Sequence, residues 1–262
     1  MNAEKATEHI VNWLLTYAKN VNVNGFVVGV SGGIDSAVTS TLCAKTGLQT
    51  LCIEMPIHQA KNQVTRANEH IENLKKKFNN VRSIKVDLTS SFENFKAIVP
   101  PAQASAKVNL SLANTRARLR MTTLYYFAGL EGLLVAGTGN KIEDFGIGFF
   151  TKYGYGGVDL SPIADLLKSE VYKLATYLGV SKEIQNAQPT DGLFGDSRTD
   201  EDQIGASYDE LEWAMEMTVK GKNNNAFSER EQVVFEIYTR LNANNQHKIL
   251  PIPVCLIPEN LK

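Results

Sequence analysis

Apolar residues in the first twenty positions fall at Ile10, Val11, Leu14, Leu15 and Ala18. Steps of three and four predict an amphipathic helix over residues 3–19. The next apolar segment has no such period. Residues 26–30 are continuously apolar, and so short a run reads as a buried parallel strand. After a polar, Gly-rich interruption, Ile34, Val38 and Leu42 repeat every four residues, predicting a helix to Lys45 that Gly47 is placed to end. Residues 50–55 then read as a strand closed by Pro56, 61–78 as a polar-faced helix and 83–88 as a third strand. Residues 90–106 contain Pro100-Pro101 and read as irregular, with a helical turn or two. A helix over 108–127, a fourth strand over 133–136, a short fifth over 158–160 and an amphipathic helix over 168–178 follow. Past Pro189 the alternation decays. Residues 190–205 read as an acidic surface loop, 208–218 and 230–241 as helices joined by a polar connector, and the Pro-interrupted C-terminus as extended.

Strands alternating with helices of this length predict an α/β fold, a doubly wound parallel sheet covered on both faces. No internal repeat or linker divides the chain, so residues 1–262 read as a single domain. The decaying pattern leaves room for a helical C-terminal appendage over 206–262. A composition of 43% hydrophobic and 21% charged residues fits a globular domain of this kind. The net charge of −1 gives no global basic field that would call for nucleic acid or a membrane surface. Cys43, Cys52 and Cys255 each sit in an apolar run with no C-x-x-C pair, so each is expected as a buried thiol rather than a zinc or disulfide partner. No apolar run reaches the roughly 20 residues needed to span a bilayer, and no signal peptide is evident. The expectation is a cytoplasmic protein.

The chemistry concentrates in Gly29-Val30-Ser31-Gly32-Gly33-Ile34-Asp35-Ser36. Gly29, Ser31 and Gly33 satisfy G-x-S-x-G, the nucleophile elbow of the α/β-hydrolases, and Ser31, Asp191 and His247 keep the triad order. Yet an elbow follows a central strand, and this loop follows what reads as the first. A phosphate cradle explains more of its residues. Glycines let backbone N–H groups approach an anion, Ser31 and Ser36 add hydroxyls, and the following helix dipole favours negative charge. No Gly-Lys-Ser/Thr follows, so the loop is not a Walker A sequence. Asp35 would repel phosphate unless a cation intervened. It is either a helix cap or a ligand for Mg²⁺ on a nucleoside triphosphate, and the loop alone leaves both open.

Ser31 to Ser36, S-G-G-I-D-S, resembles the pyrophosphate loop of the N-type ATP pyrophosphatases. Further stretches narrow the likeness: NTRARLRM from Asn114, GTGNKIED from Gly137, GFFTKYGYGGVDLSPIADLLKSEVY from Gly148, PTDGL from Pro189, TDEDQIGASYDELE from Thr199, and His247-Lys248. In this order they resemble the ammonia-dependent NAD⁺ synthetases over nearly the whole chain. The resemblance implies an adenine nucleotide α-hydrolase-like sandwich, a homodimer, and a ligase that joins ammonia to deamido-NAD⁺ at the expense of ATP. An acyl-adenylate forms and pyrophosphate leaves; ammonia then displaces AMP. Positioning and charge neutralisation would carry such a reaction, with no enzyme nucleophile. The glutamine-dependent relatives add a glutaminase domain; a single helix precedes the loop here, so free ammonia or a separate supplier is expected.

Residue by residue, the resemblance implies that Gly29, Val30, Ser31, Gly32, Gly33, Ile34, Asp35 and Ser36 hold the ATP phosphates together with Thr138, Lys168 and Thr190. Asp35 and Glu143 would bind Mg²⁺, and Lys168 would face the departing pyrophosphate. Arg118, Lys152, Asp159, His247 and Lys248 would recognise deamido-NAD⁺. Read without it, Glu143 is a solvated acid near a helix start, Lys168 a surface lysine, Thr190 a turn residue, Arg118 one of three arginines on a basic face and His247 a surface histidine. Two departures stand out: Tyr155 occupies the acidic position of the Gly-Asp-Gly-Gly found in many members, and Glu143 to Lys152 spans one residue more. The rival readings are an ATP pyrophosphatase that adenylates a tRNA base and a non-enzymatic nucleotide-binding module.

Overall fold

The computed structural model describes residues 1–190, 199–221 and 227–262. Four strands form one parallel sheet in the order β3-β2-β1-β4: β1 Gly25–Gly29, β2 Gln49–Glu54, β3 Val81–Lys85 and β4 Leu133–Val135. In register, Val27 stands opposite Leu51 on one side and Val135 on the other. Side chains alternate faces along a strand, and the buried strand β1 uses both. Phe26 and Val28 join one core with α1 (Ala3–Asn20), α2 (Ile34–Lys45) and α6 (Lys168–Leu178), through Leu14, Leu42 and Leu174. Val27 joins a second core with Leu51, Phe92 and Val135, to which α4 (Thr89–Ile98) and α5 (Ala106–Glu131) contribute. The doubly wound expectation holds. A third cluster packs α3 (Lys61–Lys77) on the sheet through Ala67, Ile71 and Leu74.

Helix α2 lies deepest: every residue from Ser36 to Ala44 is buried. Its hydroxyls find carbonyl partners, Ser40 donating to Ser36 at 2.7 Å and Thr41 to Ala37 at 2.7 Å within the helix, and Thr39 to Gly137 at 3.5 Å across the fold. Buried polar groups demand such partners, so small hydroxyl residues can replace a conventional apolar stripe here. Past β4 the chain enters a π-helix over Lys141–Ile147, and α9 (Tyr208–Val219) and α10 (Glu229–Ile249) pack upon it. Ile142, Ile147, Leu211, Val234 and Tyr238 form their common core. Asn242 and Asn245 of α10 donate to the Gly146 and Ile147 carbonyls at 2.6 and 2.8 Å, satisfying the π-helix C-terminus. Short helices α7 (Lys182–Gln185) and α8 (Asp200–Ile204) complete the order.

Several boundaries differ from those the sequence predicts. The third strand sits two to three residues earlier, because its ladder ends with β2 at Glu54, just before Pro56. Residues 89–98 form α4, stabilised by burial of Phe92 and stopped before the paired prolines. The expected fifth strand shrinks to one bridge between Ala136 and Leu160. There the Asp159 carboxylate, not a backbone carbonyl, accepts the Val135 N–H at 2.8 Å. Helix α10 runs eight residues past its expected end, so His247 and Lys248 occupy its last turn. Cys255 is exposed rather than buried, since the chain past Leu250 packs on no core cluster. Cys43 and Cys52 are buried as expected. Residues 191–198, Asp191 among them, and positions 222–226 of the connector lie outside the described residues, while the far end of the expected acidic loop forms α8. No helix among the described residues is long and apolar enough to cross a membrane.

His70 of α3 is buried against α2, where its Nε2 and Ser40 Oγ share a hydrogen bond of 2.9 Å. Burial, helped by the Lys77 charge, pushes the imidazole down to about 4. The fold therefore holds it neutral, whereas the unfolded chain protonates near the ordinary value of about 6.5. Its stabilising contribution is complete above that value and is lost as pH falls towards 4. His70→Gln is expected to flatten the pH dependence across this window by about 1 kcal/mol per pH unit, read by urea unfolding at pH 4.5 and 6.5. Equal slopes in both proteins would refute it.

Candidate active site

The glycine loop crosses from β1 to α2, beyond the C-terminal edge of the sheet, where doubly wound folds bind ligands. Gly33 is the N-cap of α2 and supplies no side-chain cap, so the helix presents uncapped first-turn N–H groups. Ser31 Oγ accepts from the Gly33 N–H at 3.2 Å and lies 3.2 Å from Ser36 Oγ, which donates to the Gly33 carbonyl at 2.9 Å. These are loop-shaping bonds. His247 bonds instead through its ring to the Asn244 carbonyl on α10, so no Ser31–His247 pair forms. Gly32 has φ +82°, and a Cβ there would stand 2.5 Å from the Gln63 carbonyl of α3. Only glycine lets the two segments approach so closely.

Three sequence-distant side chains converge beside this loop. Lys168 Nζ, at the start of α6, donates to Asp35 Oδ2 at 2.6 Å and to Glu143 Oε1 at 2.9 Å. The lysine side chain is 3% exposed, and the carboxylates 18% and 17%. Asn140 donates to Asp35 at 3.2 Å, and its Oδ1 accepts from the Glu143 N–H at 3.1 Å, which aims both acids. Tyr208, from α9, donates to Glu143 at 2.6 Å. Burial opposes the lysine's charge, but two carboxylates hold the ammonium well above its ordinary value. Burial drives Asp35 up, with the Glu143 charge adding to it against Lys168. On Glu143 burial acts in the same sense, yet Lys168 and the Tyr208 and Asn140 bonds hold that carboxyl below its usual value. Asp144 follows with its own carboxyl raised to about 8 by burial and by the Glu143 and Asp35 charges.

Asp35, Glu143, Asp144 and Lys168 line one cavity of about 220 Å³, with Asn140 and Tyr208 behind them. Of the expected phosphate set, Gly29, Val30, Ser31, Gly33, Ile34, Asp35, Ser36, Thr138, Lys168 and Thr190 face it, as does Glu143; Gly32 stands behind the loop. The residues expected at the dinucleotide lie outside its lining but form a chain of contacts. Arg118 donates to the Lys152 carbonyl at 3.3 Å, Lys152 Nζ donates to the His247 carbonyl, and Lys248 donates to the Gly148 carbonyl at 2.9 Å. Asp159 stands apart, accepting from Tyr125 at 2.9 Å as well as from Val135. Glu143 stands in the π-helix, whose turn holds one residue more than an α-turn, and from there it reaches Lys168.

Sequence reasoning missed Tyr208, Asn140 and Arg120. Tyr208 opens a helix whose apolar face hides a single hydroxyl, and Asn140 sits in a stretch read as a crossing. Arg120, one of three arginines on one helix, is buried and donates to the Met55 carbonyl at 3.0 Å, Tyr155 Oη at 2.6 Å and Gln59 Oε1 at 2.9 Å. Tyr155 thus meets the cavity wall as the acceptor of an Arg120 hydrogen bond.

Comparison with known proteins supplies the family. The profile described as NAD synthase matches residues 6–251. The chain belongs to the NAD synthase family. The NH(3)-dependent NAD(+) synthetase of Carboxydothermus hydrogenoformans is 40% identical, over 81% of this chain and 85% of its own length. Among solved structures, the NMN synthetase from Francisella tularensis superposes with a TM-score of 0.83 at 32% identity, covering 99% of each chain. The NH3-dependent NAD synthetase from Campylobacter jejuni follows at 0.78 and 26%, covering 98% of this chain and all of that one. The adenine nucleotide α-hydrolase-like fold of the family agrees with the parallel sheet described above.

Within this family member, Lys168 is the counter-charge of two buried acids. Removing one partner of such a cluster leaves an uncompensated buried charge. Lys168→Met is expected to cost about 3–5 kcal/mol in urea unfolding, most of it recovered when Asp35→Asn and Glu143→Gln are added. A destabilisation unchanged by those two substitutions would count against the assignment.

Proposed function

We propose that this chain joins ammonia to deamido-NAD⁺, consuming ATP and releasing AMP and pyrophosphate. Family membership and close relatives named for this activity support the reaction. The single structural observation that carries it is the convergence of Asp35, Glu143 and Lys168 beside an uncapped helix N-terminus. The eight residues from Gly29 to Ser36 cradle the triphosphate, with Thr138, Lys168 and Thr190 facing it across the cavity. A carboxylate oxygen of the nicotinate attacks the α-phosphorus, and pyrophosphate departs with the bonding pair. Ammonia then attacks the acyl carbon and AMP leaves, the spare proton passing to solvent. The chain's own part is to orient the two substrates, exclude water and offset charge.

Asp35 and Glu143 would hold Mg²⁺. The fit is chemical: two hard carboxylates, 18% and 17% exposed, already converge on one cationic point, now the Lys168 ammonium. Among the described residues no third acid, cysteine or histidine completes a protein cage. Mg²⁺ suits so sparse a set, since it keeps water and phosphate oxygens in its shell. When bound, the ion would neutralise charge on the triphosphate. Arg118, Lys152, His247 and Lys248 would take deamido-NAD⁺, supported by their chain of contacts; Asp159, whose carboxylate already holds Tyr125 and β4, is proposed with them on the resemblance alone. A homodimer is proposed as well, supported by exposed apolar residues along α5, where Leu130 and Tyr126 are each 64% exposed. A dimer mass in sedimentation is expected, and a monomer would count against it.

A second reading keeps the chemistry and shortens the substrate to the mononucleotide. It is favoured by the full-length likeness to the Francisella NMN synthetase. One assay separates the readings: AMP release with ATP, Mg²⁺ and ammonium, with deamido-NAD⁺, nicotinate mononucleotide or neither. AMP formation that depends on deamido-NAD⁺ is expected, and AMP formation indifferent to both acids would refute the ligase. In the same assay Asp35→Asn should be inactive, while Ser31→Ala should keep partial activity. The reverse pattern would restore a serine nucleophile.

A further inference from the structure

The cationic balance of the cavity is incomplete. Lys168 already lies between Asp35 and Glu143, so that cluster carries a net charge of about −1 when both acids are ionised. A triphosphate carries about four negative charges, which the Mg²⁺ proposed above offsets only in part, so further positive charge facing it would stabilise it. Among the described residues two guanidinium groups line the same cavity, Arg120 and Arg66. Arg120 is buried, with its donors directed at Met55, Gln59 and Tyr155. Arg66 differs. It projects from α3 at the point where that helix abuts the loop, and its Nε donates to the Gly32 carbonyl at 3.2 Å. That bond orients the side chain from behind. It uses the inner nitrogen and leaves the outer fork, the part of arginine that matches phosphate oxygens in pairs. Among the described residues Arg66 makes no ion pair. The contact is tight on the backbone side too: a Cβ at Gly32 would lie 3.1 Å from Ala67 N and 3.4 Å from Arg66 Cβ.

We propose that Arg66 is a phosphate-binding residue that reaches the loop from α3 and takes the β,γ-pyrophosphate portion of the nucleotide through its outer guanidinium nitrogens. It supplies the positive charge that Lys168, held by two carboxylates, does not. As pyrophosphate separates from the α-phosphorus, negative charge builds on it, so a guanidinium bound to it would hold the leaving group more strongly than the intact nucleotide.

The proposal rests on the loop being a triphosphate site, and its test needs no nicotinate substrate. Inorganic pyrophosphate and AMP are titrated separately into the intact protein by calorimetry in Mg²⁺ buffer, for wild type, Arg66→Gln and Arg66→Lys. Arg66→Gln is expected to weaken pyrophosphate binding about tenfold or more and AMP binding less than about twofold, with Arg66→Lys, which keeps the charge but not the fork, losing part of the pyrophosphate affinity and little of that for AMP. Four results overturn it: no pyrophosphate binding by wild type, unchanged pyrophosphate binding in Arg66→Gln, equal weakening of AMP and pyrophosphate, or Arg66→Lys falling as far as Arg66→Gln. The glutamine keeps a donor for Gly32 but no charge, so a role confined to shaping the loop would leave it near wild type. Should Arg66→Gln fail to fold, Arg66→Lys decides alone: a loss of pyrophosphate affinity with AMP affinity kept supports the fork, and unchanged affinity for both overturns it. Pyrophosphate binding that depends on Arg66 in a protein that forms no amide would refute the ligase reading and leave this one standing.

Discussion

Everything around the cavity is arranged so that one ammonium group can be buried between two carboxylates. Charges so far out of water are costly unless each finds a partner. Here the partners come from three places: Asp35 from the first turn of α2, Glu143 from the π-helix and Lys168 from the first turn of α6. None of these segments can move independently without exposing a buried charge. The cluster therefore ties the sheet, the helices on one of its faces and the C-terminal helical layer into a single geometry. Tyr208 and Asn140 extend the tie, one from α9 and one from the turn after β4.

The same constraint explains why the C-terminal layer is more than decoration on an α/β sandwich. Its apolar core is built on the π-helix, and two asparagines of α10 close the end of that helix. A π-helix is poorly stabilised in isolation. Its persistence here depends on helices that arrive about sixty to a hundred residues later in the chain. Glu143 is thus aimed by residues with no chemistry of their own.

Much of this was legible in the sequence, for identifiable reasons. Helices α1, α2, α6 and α9 and the three longer strands announce themselves through period and continuity, because burial on one face or two leaves a regular trace. The loop proposed to hold phosphate stands out because glycines, hydroxyls and a first-turn acid serve few other purposes together. The π-helix was not, since a seven-residue segment rich in charge and glycine has no period to detect. Nor was α4, where one buried phenylalanine does the work of a stripe. Arg120 illustrates a different limit. Arg116, Arg118 and Arg120 look equivalent in sequence, but a helix turns them to different neighbours, and only contacts across the fold separate the buried one. The same holds for Lys168, a surface lysine by every local rule until Asp35 and Glu143 are brought to it.

The dryness of α2 carries a further consequence. A helix bathed in solvent has its field damped by water and mobile ions along its flanks. This one is sheathed by the sheet and its neighbouring helices from Ser36 to Ala44, with even its hydroxyls turned inward. Low polarisability on all sides leaves the positive end of its dipole facing the cavity with little attenuation. The attraction it exerts on an anion is consequently a fixed property of the fold. Changes in the ionic strength of the surroundings reach the rim of the cavity far more readily than they reach its floor.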